Sequence, residues 1–195
     1  MIKTIRVMLI PNNRQKTKLF QYANTARFAY NWALSREKEN YNNGGKFISD
    51  KELRKELTQL KKTDDYSWLN EISNNVTKQA IKDACDAYKR FFKGTSKCPK
   101  FKSRKHSIPS FYQDNMKIQF TENFVKVEGF ATSKKKNKQK INWIKLAESN
   151  RVLLEAKYTN PRIKYDGLNW WLTVGIEYEE FIIVPSNDGI GIDLG

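Results

Sequence analysis

The sequence predicts an α+β fold: a small antiparallel β-barrel, discontinuous along the chain, with a helical bundle inserted after its first strand. Three observations carry this. Ile5 to Ile10 is an apolar run that ends at Pro11, which reads as one buried strand. Apolar residues then recur at helical spacing as far as Phe92. Beyond residue 105 the pattern changes to short strand-like segments at 116–127, 141–146, 151–158 and 168–178.

Each element has a local reason. In "PNNRQ", Asn12 can cap a helix, and Gln15 stands three residues on in the capping-box position. Leu19, Ala23, Ala26, Tyr30 and Leu34 then make one buried stripe, and "NNGG" at 42–45 ends the helix. In "FISDKEL", Ser49 and Glu52 form a second capping box, with Ile48 and Leu53 in the hydrophobic-staple positions. That helix continues through Leu57 and Leu60. A third starts near Ser73 and carries Val76, Ala80, Ala84, Tyr88 and Phe91 on one face. Asp166-Gly167 inside "YDGLNWWLTVGIEYE" is a hairpin turn between alternating strands. The region 110–184 reads as the barrel, which the N-terminal strand completes.

Composition bounds the function. Aromatic residues make up 13% of the 195, which argues against disorder. Lysine and arginine exceed the acids by 36 to 21, a net charge of +15, and the pI is near 9.7. An excess of this size implies a polyanionic partner, most often nucleic acid, because each neutralised phosphate releases condensed counterions. "MIKTIRVMLI" is not a signal peptide, and no apolar run approaches the ~20 residues that span a bilayer. A cytoplasmic, nucleoid-associated protein without a membrane partner is expected. Cys85 and Cys98 are too few for a disulfide framework or a four-ligand zinc site. His106 is the sole histidine, so histidine-based triads and histidine-rich metal sites are excluded.

Four stretches are candidates for binding or chemistry. From Lys89 to Lys105 there are eight basic residues and no acid. Tyr88, Phe91 and Phe92 at its start are assigned to the core as the end of the apolar helix face, whereas Lys97, Lys100, Lys102, Arg104 and Lys105 follow the helix and suit phosphate contact. The lysines at 134, 135, 136, 138 and 140 read as a solvated loop that adds to the general field. In "ISNNVTKQ", Asn74 and Asn75 open a helix, with Lys78 and Gln79 one turn on. Amides so placed can read base edges in a major groove, although Ser-Asn-Asn is more often only a cap. Lastly, "GIGIDLG" ends at Asp193 and Gly195. An aspartate on such a strand presents a metal ligand in ribonuclease-H-like folds, begins a phosphate-binding turn in actin-like ATPases and sugar kinases, or is an ordinary surface residue.

These pieces occur together and in order. "LIPNNRQ", "ARFAYNWALSREKENY", "ELTQLKK", "SWLNEISNNVTKQAIKDACDAYKRFFK", "PKFKSRK", "INWIKL", "WWLTVGIE" and "GIDLG" resemble the TnpB family, also called OrfB, across nearly the whole chain. The family comprises transposon-encoded RNA-guided DNA nucleases related to type V CRISPR effectors. The resemblance implies a wedge β-barrel whose first strand is residues 1–10. A helical recognition domain with a basic C-terminal segment would follow at 11–105, and the rest of the wedge barrel at 106–186. The start of a RuvC nuclease domain would occupy 187–195.

By resemblance, Asp193 is the first RuvC acid and a metal ligand in an incomplete site. The later acids and the family's four-cysteine zinc element have no counterpart within these residues. No cofactor is therefore expected for this chain, and Mg²⁺ is expected for a full-length nuclease. The implied partners are a guide RNA from the transposon end and double-stranded DNA beside a short transposon-adjacent motif. That motif would be read near Asn74, Asn75, Lys78 and Gln79, and near Gln113 and Asp114. The expectation is a nucleic-acid-binding portion that does not cleave alone. The alternatives are a catalytically dead RNA-guided repressor and an inert remnant of a transposase gene.

Overall fold

The computed structural model describes residues 1–131 and 139–177. Within them the protein is α+β, with helices and one open antiparallel sheet of seven strands. Strand β1 (Ile2–Ile10) comes first, followed by helices α1 (Asn13–Asn42), α2 (Asp50–Leu60) and α3 (Asn74–Phe92). A 3-10 stretch, Asp64–Glu71, joins the last two. The remaining strands are β2 (Ser110–Tyr112), β3 (Gln119–Phe120), β4 (Phe124–Lys126), β5 (Trp143–Leu146), β6 (Tyr158–Tyr165) and β7 (Trp170–Glu177).

The helix starts form as their sequences direct. Asn12 accepts from the Gln15 amide N–H while the Gln15 side chain accepts from the Asn12 N–H, at 3.0 and 2.9 Å. Gln15 also reaches out of the helix: its Nε2 donates to the carbonyls of Ile141 and Trp143, tying the start of α1 to the entry of β5. Ser49 and Glu52 make the second reciprocal box. The stripe from Leu19 to Leu34 is buried at every named position. In the Asp166-Gly167 turn, Asp166 Oδ1 accepts from the N–H groups of Leu168 and Asn169. Gly167 supplies the φ of +108° that a side chain would resist.

The strand order is β2-β6-β7-β1-β5-β4-β3, so β1 lies at the centre and joins the two halves. Its register aligns one inward row: Phe111 opposite Ile163, Ile163 opposite Leu172, and Leu172 opposite Val7. All four are buried. The ends β2 and β3 make no ladder with each other among the described residues. The sheet nonetheless curls, because Gln113, just past β2, accepts through Oε1 from the N–H of Glu128, just past β4. Tyr22 of α1 packs edge-on against Phe111 and Phe130 at 5.3 and 5.1 Å. Gly129 lets it in, since a Cβ there would stand 2.3 Å from the tyrosine hydroxyl.

Several expectations change. Residues 116–127 form a short hairpin, β3 and β4, instead of one strand. No strand covers 151–157; Glu155 has a φ of +57°, and the strand begins at Tyr158. The short β2 has too few residues for a periodic signal. The core assignment of Phe91 and Phe92 does not hold, as they are 38% and 59% exposed. Helical periodicity continues to the end of α3, but the layer it would face has ended.

Candidate nucleic-acid interface

The basic segment after α3 runs along α1 as an arm without regular structure and ends in a turn, where the Ser107 N–H donates to the Ser103 carbonyl. Its anchor is Asn31, whose side chain donates to the Lys102 carbonyl at 2.9 Å and accepts from the Lys102 N–H at 2.8 Å. One amide thus satisfies both polar groups of one residue, as a neighbouring strand would. The Lys102 side chain folds inward, with Nζ 3.9 Å from the centre of the Tyr30 ring. Burial lowers the pKa of this ammonium, an effect opposed by Asp83 nearby.

Beneath it lies an ion pair between α3 and β6. Arg162 donates to both oxygens of Asp83, at 2.6 and 2.9 Å, and Gln79 donates to the same carboxylate at 2.9 Å. Burial alone would raise the Asp83 pKa, but these hydrogen bonds and the guanidinium charge hold it below the ordinary value.

The arm and α1 enclose a groove of about 530 Å³ lined by Gln21, Asn24, Arg27, Lys102, Arg104 and Ser107, among others. Among the described residues, Arg27, Lys97, Lys100, Arg104 and Lys105 enter no ion pair. Lys97, Lys100, Arg104 and Lys105 are exposed. A second cationic groove, about 650 Å³, opens between α2 and α3 and is lined by Arg54, Lys61, Lys62, Asn70, Asn74 and Lys78. Lys61 is 8% exposed and donates to Asn74 Oδ1 at 2.7 Å. With no carboxylate against it, burial and the Lys78 charge lower its pKa.

Helix geometry splits the four residues expected to read DNA into two pairs. Asn74 and Lys78 share the groove with α2. Asn75 and Gln79 turn elsewhere, Asn75 donating to Glu128 Oε2 at 3.3 Å and Gln79 to Asp83. Glu128 also takes the Ser73 hydroxyl at 3.1 Å and Lys117 Nζ at 2.5 Å, placing a negative charge at the positive end of α3. Gln113 is buried, and Asp114 Oδ1 accepts from the Met116 N–H at 2.8 Å.

Sequence reasoning missed Asn31, Arg27, Glu128 and the Asp83–Arg162 pair. Only Asn31 left a trace, as an amide in the otherwise apolar run "FAYNWAL". Asp193 and the lysines at 134, 135, 136 and 138 lie outside the described residues; Lys140 is exposed, in a 3-10 turn (Lys140–Asn142). Among the described residues no three of His, Cys, Asp and Glu converge as a metal site requires, so no metal-dependent step is derived from them. No helix there is long and apolar enough to cross a membrane.

The family described as a helix-turn-helix domain, HTH_OrfB_IS605, matches residues 1–46. Over that span this chain forms β1 and a single unbroken helix, α1. The putative RNA-guided DNA endonuclease InsQ of Escherichia coli (strain K12) is 25% identical over 195 residues, all of this chain and 45% of its own length. A putative RNA-guided DNA endonuclease of Streptomyces pristinaespiralis is 29% identical over 108 residues, 55% of this chain and 27% of that protein. The chain thus spans less than half the length of either relative. The N-terminal family match and both relatives agree with the resemblance of its motifs to the OrfB, or TnpB, family.

Proposed function

We propose that this chain is the guide-RNA- and DNA-binding N-terminal portion of a TnpB-like RNA-guided DNA endonuclease. In this reading the curled sheet is the wedge barrel and α1 to α3 are the inserted recognition domain. The groove under the basic arm follows a phosphate backbone. Asn74 and Lys78, open to solvent beside Arg54 and Lys62, face the duplex next to the short transposon-adjacent motif. Cleavage belongs to a longer polypeptide in which Asp193 meets further carboxylates around Mg²⁺. Target sequence is then read by base pairing, leaving shape and the short motif to protein.

One observation carries the reading: an arm of cations without carboxylate partners, pinned at Lys102 and facing Arg27 across a groove. A backbone already pinned beside the groove lowers the ordering cost of bringing these cations to a polyanion. Filter binding of a structured RNA and a duplex at several salt concentrations tests it. Affinity is expected to fall steeply with salt, because each phosphate contact contributes a slope of about 0.7 to 0.9 in log K against log salt. A flat salt profile for both polymers would remove the proposal.

A further inference from the structure

At the far end of α1 the same arm borders a groove of different character. It measures about 590 Å³ and is lined by Glu37, Tyr41, Phe47, Tyr88, Phe92 and Phe101, with others. Tyr41, Phe91, Phe92 and Phe101 are 74%, 38%, 59% and 56% exposed. Monomeric surfaces rarely gather so many rings without a use. The rings hold one another in place: Tyr88 and Phe92 lie nearly parallel, 5.9 Å apart, and Phe47 meets Phe92 edge-on at 5.9 Å.

The rim is cationic. Lys38 and Lys100 line the groove, and Lys89 Nζ lies 6.0 Å from the Phe47 ring. The inner wall carries one acid, Glu37, only 5% exposed. Its Oε2 accepts from the Ile48 N–H at 3.2 Å, while Oε1 has no hydrogen-bond partner. An apolar helix from another protein would set its greasy face against lysines. A nucleotide answers both the aromatic floor and the cationic rim: a ring to stack and a phosphate for the lysines.

We propose that this aromatic groove receives one unstacked base of a single-stranded polynucleotide whose backbone continues along the basic arm. The inference rests on the nucleic-acid-binding reading above and adds a discrete site to it. Flat rings recognise bases without regard to sequence, so the site fixes the position of a strand and leaves its letters unread.

The test uses the 195-residue chain with two single strands of equal length, one of normal nucleotides and one with abasic sugars throughout. Phe91→Ala/Phe92→Ala is compared with wild type and with Arg27→Ala/Arg104→Ala. Phe101→Ala, on a different segment, guards against a folding defect in α3, and circular dichroism checks each variant. Wild type is expected to prefer the normal strand, and the Phe91/Phe92 variant to lose roughly ten-fold of that preference. Its affinity for the abasic strand and its salt slope should stay unchanged. A 2-aminopurine probe should be quenched by wild type and less so by either aromatic variant.

An undiminished preference in both aromatic variants would overturn the site while leaving the function intact. So would a dimer in sedimentation that Phe92→Ala disperses, because a second copy would then own the face. Salt-insensitive or absent binding of both strands would overturn the site and the function together.

Discussion

The two grooves along α1 share a wall and are of similar size, about 530 and 590 Å³, yet their chemistry is opposite. Beside Arg27 the lining is cationic, and the half-buried acid below it, Asp83, has a guanidinium clamped on both oxygens. Beside Phe92 the lining is aromatic, and its buried acid, Glu37, has one backbone donor and an idle oxygen. Asn31 sits between them, pinning the arm at Lys102. A single irregular segment, fixed at one point, thus divides a helix face into a region suited to phosphate and a region suited to rings.

The contrast predicts a graded set of losses. The largest belongs to Arg162→Ala, which strands Asp83 in a mostly buried position. It should cost about 2–3 kcal/mol, read as a lower urea midpoint with an unchanged slope. Because the folded-state pKa of Asp83 is depressed, the pair stabilises the protein fully above the ordinary aspartate value. That contribution fades as pH falls through the folded value. The variant should therefore lose less stability on acidification than wild type, and equal acid sensitivity would contradict the pairing.

Asn31→Ala comes next, at about 1–2 kcal/mol, since two backbone groups lose their partner but water can reach them. Hydrogen exchange at the Lys102 amide should accelerate far more than at the α1 amides. If it does not, the arm is held by something else and the two grooves have no common hinge. Arg27→Ala/Arg104→Ala should leave stability within about 0.5 kcal/mol and lower the log–log salt slope for RNA by about 1.4 to 1.8.

The smallest effect belongs to Glu37→Gln. Burial, aided by the nearby Glu52 and Glu56 charges, raises this carboxyl's pKa in the folded chain. The folded protein therefore keeps a proton that the unfolded chain releases, and stability falls as pH rises above the ordinary glutamate value toward the raised one. The glutamine variant should lose that decline while keeping the acid-side behaviour attributed to Asp83. A pH–stability curve identical to wild type would mean Glu37 is solvated like any surface acid.

How much of this could be read from the residues alone differs by element. Both capping boxes and the Leu19–Leu34 stripe were readable because each depends on neighbours three or four positions apart. The Asp166-Gly167 turn was readable for the same reason. The strands at 110–112 and 158–165 were not, since β2 pairs with β6 across fifty residues of intervening chain and its three residues carry no period. Phe92 was misread because a stripe reports which face is apolar, not whether anything covers it. The site followed the same rule. The run of cations from Lys97 to Lys105 was visible, but its anchor was not: Asn31 and Lys102 meet only in space, as do Asp83 and Arg162. Which of Asn74, Asn75, Lys78 and Gln79 face outward also depended on Glu128, a residue with no motif of its own.

The central place of β1 has a consequence for how the molecule is made. Val7 has Leu172 as its neighbour and Leu9 has Leu146, so an oily ribbon synthesised early must idle until β5 and then β7 have left the ribosome. Loop-closure entropy makes such remote pairings late steps. The helices, built from near neighbours, can gather while the ribbon waits. During that interval a chaperone that holds extended apolar segments would find its grip at residues 5–10, and release would coincide with arrival of the Trp170–Glu177 strand.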